Sequence, residues 1–270
     1  MRAGVLLCAI ALLAATGGAR AVAQSFNFAS SATGAPIQVD ADNGIEWRQE
    51  EKIFIARGKA VAERGGVKVH ADTLRAYYRE TRGGSSDIWR LDAEGSVKIT
   101  SATETATGTT GVYDVDNAIL VLHGNPARLV TPSDVITARQ QIEYWELRRM
   151  AVARGDAQAV RGPNRIRGDV LVGYFTPETK NQPSQMDRIE AFGNVVIVTP
   201  NETVQAARGV YRIATETASL EGPVMITRGE NQINGCRALV NMKTGVSRIL
   251  SCEPGTGGGR VRGLLVPEKK

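Results

Sequence analysis

The sequence predicts an all-β protein of stacked antiparallel strands, and three observations carry that expectation. Glycines recur at a spacing near thirty residues: Gly58, Gly95, Gly124, Gly155, Gly193 and Gly222 lie 37, 29, 31, 38 and 29 positions apart. A period of that length signals a repeat architecture. Short alternating runs of Val, Ile, Thr and Tyr, broken by Asn, Asp, Gly and Pro, follow the glycines, which is the mark of antiparallel strands. No stretch shows an unambiguous apolar face at helical spacing.

The first element is an address. Arg2 is followed by the apolar run VLLCAIALLAAT and then by Ala21-Val22-Ala23, which predicts a cleaved signal peptide over residues 1–23. A retained anchor is the competing reading, and the run is short of the ~20 residues a spanning helix needs. Cys8 leaves with the peptide. Residues 24–36 are expected to be a flexible lead into a single domain, 37–252, and the mature chain to be exported and unanchored.

Within 37–252 each unit repeats one order of features. After the glycine comes an alternating strand (SVKIT, ARLVT, VVIVT, PVMIT), then a polar turn, then a strand that often carries an aromatic (GVYDV, QIEYWEL, VLVGYF, GVYRI), then a return to the next glycine. The two long spacings each contain a polar insertion, RETRGGSSD at 79–87 and TPETKNQPSQMD at 176–187. The segment 135–151 is ambiguous between helix and strand, and its neighbours predict two strands. A chain bending at one place in every layer needs a residue that tolerates positive φ or close backbone approach, which explains the glycines. A single layer cannot bury a face alone, so the layers share a core and leave an open edge at each end.

The last hairpin holds Cys236 and Cys252. A three-residue loop Lys243-Thr244-Gly245 sets Met242 opposite Val246 and Cys236 directly opposite Cys252, which favours a disulfide staple in an exported protein; two buried thiols are the alternative. The tail 253–270 reads as a flexible extension, with a short docking strand in RVRGLLVPE as the alternative.

Composition excludes several classes. The chain has two histidines, His70 and His123, far apart and without acidic or cysteine residues at ligand spacing, so neither metal nor other cofactor is expected. The net charge of +5 is scattered, without the basic stripe that nucleic acid requires. The carboxylates sit in turns or beside basic residues, and no G-x-S-x-G elbow or Cys–His arrangement occurs. No enzyme is expected.

The stretch IQVDADNGIEWRQEEKIFIARGKAVAERGGVKVHADTLRAYY (37–78) resembles the OstA-type repeat of the LptA family of periplasmic lipopolysaccharide-transport proteins. Val39, Ala41 and Asp42 open the pattern, Ile53 to Gly58 give the apolar strand and its glycine, Val69 to Asp72 give VHAD, and Tyr77 or Tyr78 closes it. ATGTTGVYDV and VQAARGVYRI repeat it, so the resemblance covers 37 to about 250. It implies an elongated twisted β-jelly roll in the periplasm, whose greasy groove carries the acyl chains of lipid A. It also implies end-to-end contacts with like-folded components at the inner and outer membranes. Alternation nominates Val97, Ile99, Leu120, Leu122, Leu129, Ile136, Ile142, Val196, Val198, Val204, Val224 and Ile226 as lining residues, ordinary core being the bland reading of each. The open edges predict weak head-to-tail self-association. The chain departs from the short members of the family in its length and in its cysteine pair. A secreted repeat adhesin and a carbohydrate-active enzyme are the alternatives from other classes.

Overall fold

The computed structural model describes residues 37–81, 86–177, 179, 184–241, 243–244, 246–252 and 260–266. The expected signal peptide and lead lie outside the described residues. The strands in order are β1 (Gln38–Asp40), β2 (Ile45–Arg48), β3 (Ile53–Arg64), β4 (Val67–Glu80), β5 (Ser86–Thr100), β6 (Thr105–Asp114), β7 (Ile119–His123), β8 (Ala127–Val130) and β9 (Val135–Ala138). They continue as β10 (Gln141–Trp145), β11 (Met150–Arg161), β12 (Asn164–Phe175), β13 (Met186–Val198), β14 (Thr203–Arg212), β15 (Thr217–Arg228), β16 (Asn231–Asn241), β17 (Val246–Leu250) and β18 (Arg262–Leu264). The ladders among them are antiparallel and no helix occurs among the described residues, so the class is an all-β jelly roll of stacked antiparallel strands. The ambiguous 135–151 segment is β9, β10 and the start of β11.

The described chain groups into two compact units. One holds residues up to 155 with those described between 176 and 185; the other holds 156–175 and everything from 186 onward. In both units the glycines bend long strands. Gly95 has φ +77 and the next residue, Ser96, φ 49; Gly193 has φ +68 and Asn194 φ 48. The ladder skips at the same points, between Glu94 and Val97 and between Phe192 and Val195. A Cβ on Gly95 would lie 2.1 Å from Asp72 Oδ2, and one on Gly193 equally close to Asp169 Oδ2. The bend therefore needs glycine twice over, for backbone conformation and for room. Gly124 meets the requirement differently: its φ is not positive, but a Cβ there would lie 2.8 Å from the Ala127 nitrogen. In that layer the chain is two short strands, β7 and β8, both paired with β6.

The same splitting occurs at the first and last layers. β3 pairs with β2 along its first half and β1 along its second, and β16 pairs with β17 and β18. The last hairpin differs from expectation by one residue, with Asn241 rather than Met242 facing Val246 and Arg237 facing Leu250. Thr244 N–H donates to Asn241 Oδ1 across this longer turn. Cys252 lies beyond the last ladder pair, where the backbone is not held to strand geometry, and it still joins Cys236 with the Cα atoms 4.9 Å apart. The wholly flexible tail is corrected at Arg262–Leu264, where β18 pairs with Gln232–Asn234; alternation in RVRGLL is enough for three ladder pairs.

Candidate functional site

In the first unit, cross-strand registers set whole rows of side chains on one face. Ile45, Ala56, Leu74, Ala93, Gly111 and Leu122 form one row, and Trp47, Phe54, Ala76, Leu91, Tyr113 and Leu120 the next. Past the glycine bend a third row holds Val39, Ala62, Val69, Ile99, Ala106 and Leu129. The bend turns the third row toward the first two, and a cavity of about 370 Å³ lies between them. Its wall draws on all three rows and adds Ile37, Val67 and Ile88, with Arg75 and Asp92 as the charged residues among the lining. The space exists because Ala56, Ala62, Ala76, Ala93 and Gly111 are small, while Val97 and Leu122 close the floor beside Ala71 and Ala106. The volume falls within the range of ligand sites.

Aromatic residues cluster around Phe54, which lines the cavity. Trp47 stacks on Phe54 with ring centroids 5.3 Å apart, Phe54 meets Tyr78 at 5.1 Å, and Trp47 Nε1 donates to Tyr78 Oη at 2.8 Å. Tyr113 donates its hydroxyl to Glu146 at 2.9 Å. Ionic contacts lie on the other face of the same strands, as with Arg57 and Glu46 at 2.7 Å and Arg75 and Glu94 at 2.6 Å. On that outer face Glu143 is buried. Burial pushes its carboxyl up, but hydrogen bonds from Arg154, Trp145 and Gln141 outweigh this and hold it below the usual range.

Of the nominated residues, Ile99 and Leu120 line the cavity. Val97, Leu122 and Ile142 are buried core beneath or beside it, and Leu129 and Ile136 are half-buried in the third row. In the second unit Val204, Val224 and Ile226 are buried. Val196 and Val198 stand on the opposite face, paired with Gln205 and Thr203, while Val195 and Ile197 turn inward. Four consecutive apolar residues, 195–198, carry no alternation, and the bulge at Gly193–Asn194 resets the count. Alternation in IQVDADNGIEW and RLDAEGSVKI pointed to Val39, Ile45 and Leu91, which the nomination left out. Among the described residues no cluster of His, Cys, Asp and Glu has metal-binding geometry.

The features recur at a fixed offset. Gly58 and Gly155, and Asp72 and Asp169, are 97 residues apart; Gly95 and Gly193, Tyr113 and Tyr211, and Gly124 and Gly222 are 98 apart. A model of the family described as LptA/(LptD N-terminal domain) LPS transport protein matches residues 38–146 and again 136–246. The chain belongs to this family. The two family matches coincide with the two copies, so the thirty-residue layers are subdivisions of a longer duplication. An uncharacterized protein of Rhizobium meliloti (strain 1021) is 27% identical over 109 residues, 39% of this chain; the chain spans 58% of the length of that relative. The crystal structure of LptH from Pseudomonas aeruginosa, titled the LptA-homologous periplasmic component of the lipopolysaccharide transport device, aligns over 86% of this chain and 96% of its own. The identity is 10% and the TM-score 0.22.

Proposed function

We propose that the chain is a periplasmic carrier that helps move lipopolysaccharide from the inner to the outer membrane, sheltering acyl chains of lipid A in the cavity of its first unit. The observation that carries this reading is the cavity's apolar wall, framed by alanines and a glycine that leave room for a chain. Exposing a twelve-carbon chain to water costs on the order of 10 kcal/mol at ~0.8 kcal/mol per CH₂, so a lipid crossing an aqueous space needs such a lining and no catalytic group.

The open edges of the first and last hairpins favour like-folded partners at the two membranes. Among the described residues β1 and β2 pair only with β3, and β17 and β18 only with β16, which leaves backbone donors and acceptors open to β-augmentation. Ile45, Trp47, Val246 and Leu264 are exposed there. Head-to-tail pairing of this kind is heterologous and open-ended, and weak self-association is expected; a sedimentation coefficient that does not rise with concentration counts against it.

Photocrosslinking in cells tests the carrier reading. A crosslinker at Ile99 or Leu120 captures lipopolysaccharide, whereas one at the outward neighbour Lys98 does not. Equal capture at Ile99 and Lys98, or none at either, overturns the reading.

A further inference from the structure

Arg64 ends the inward row of β3 beside the cavity. Ala60 and Ala62 precede it at the same parity, and it forms the last pair of the β3–β4 hairpin, opposite Val67. Ala62 and Val67 both line the cavity, so Arg64 lies one step beyond the lining on the same inward parity and opposite a lining residue. Its Nε is buried and has no hydrogen-bond partner. Glu63, the preceding residue, has the opposite parity and pairs with Lys68 at 3.1 Å. The inward carboxylate on the same side of the cavity, Glu104, is three strands away across β4 and β5, about 14 Å at the usual strand spacing.

The second copy shows that this is not a general feature of the repeat. Arg161, 97 residues after Arg64, is engaged by other groups, and its cross-hairpin neighbour is Asn164 where the first copy has Val67. The first copy thus sets an unanswered cationic donor against an apolar cavity. A buried N–H without an acceptor is unfavourable, and a guanidinium answers a phosphate-like anion with a charge-assisted bond through Nε and a neighbouring Nη.

We propose that Arg64 anchors the anionic head of an amphiphile whose hydrocarbon chain lies in the cavity, the head being a phosphate monoester or an anion of the same shape. The assignment rests on the carrier reading and adds to it a polarity of binding: head at the β3–β4 turn, chain running inward past Ala62 toward Leu91 and Leu120. A neutral amphiphile of equal chain length then fits the same space without the anchor.

Calorimetry on the purified chain compares dodecyl phosphate, dodecyl maltoside and inorganic phosphate, each below any micelle concentration. The phosphate amphiphile binds about tenfold more tightly than the neutral one, as expected for one charge-assisted contact, and inorganic phosphate does not compete. Arg64→Gln removes the tenfold preference and leaves maltoside binding unchanged, which also shows that the variant is folded; Arg64→Lys keeps part of the preference. A preference that survives in Arg64→Gln overturns the anchor and leaves the cavity reading standing. Loss of maltoside binding together with phosphate binding in that variant also overturns it, because Arg64 then supports the wall and not the head. Competition by inorganic phosphate makes the site one for free anions and overturns it as well. Failure of both amphiphiles to bind the unaltered chain removes the carrier reading itself.

Discussion

Ile45 and Ile142 hold the same place in the two copies, 97 residues apart, yet Ile45 is 54% exposed and Ile142 9%. The local sequences are alike: each isoleucine sits in a short strand before a long one, facing an alanine, Ala56 or Ala153. The difference lies in what stands on the other side. β10 is held between β11 and β7, with Ile142 against Leu122, whereas among the described residues β2 has β3 alone. A repeat buries its face only when the next layer covers it. Among the described residues no layer covers the start of the first copy, and the cavity lies in that copy's wall.

The largest expected contrast is a charge placed at the two sites. Ile142→Lys should cost about 3 kcal/mol or more, combining the lost apolar burial with a buried unpaired charge. Ile45→Lys should stay within about 0.5 kcal/mol, as exposed substitutions do. Urea denaturation of the two variants measures this, and equal losses would break the comparison.

A smaller contrast concerns Glu104 and Glu202, which occupy equivalent turns 98 residues apart. Ser101 Oγ and Thr199 Oγ1 accept the backbone N–H of the respective glutamates, at 3.1 and 3.2 Å. Burial pushes the Glu104 carboxyl up to about 7. Burial also raises Glu202, with Arg228 working against it. A carboxyl raised in the folded state contributes stability that is present in acid and lost as pH climbs through the folded value. Glu104→Gln should therefore gain on the order of 1–2 kcal/mol near pH 8, a figure reduced for partial exposure, and nothing near pH 4. Glu202→Gln should gain less, because it also removes the carboxylate that Arg228 attracts. Thermal unfolding at the two pH values checks both, and a gain of equal size in acid would contradict the assignment.

Much of the architecture was legible because glycine and alternation have direct physical causes. Gly95 and Gly193 had to sit at bends, since no residue with a Cβ fits over Asp72 or Asp169. The longer duplication was hidden, because insertions at 79–87 and 176–187 fall at matching places and so look like irregularities in the shorter period. The inward set was legible where polar and apolar residues alternate, as at Val97-Lys98-Ile99, and failed where they do not, as at 195–198. The cavity itself could not be read from the chain. It depends on Ala56, Ala62, Ala76, Ala93 and Gly111 meeting across strands, and a small residue in one strand says nothing of what faces it in another. The cysteine pair was found despite a register one residue off, because proximity at the end of a hairpin tolerates a slip that a ladder pair does not.

The central claim is that a hydrocarbon chain lies in the first-copy cavity. Trp47 stacks on Phe54, which lines that cavity, whereas Trp145 shares the outer face with Glu143, to which its Nε1 donates. In single-tryptophan chains, a dodecyl amphiphile brominated along its tail should quench Trp47 saturably, at one molecule per chain, and leave Trp145 unaffected. Ala93→Leu, which fills the cavity, should abolish that quenching. Equal quenching of the two tryptophans, or quenching of Trp47 that survives Ala93→Leu, would contradict the claim.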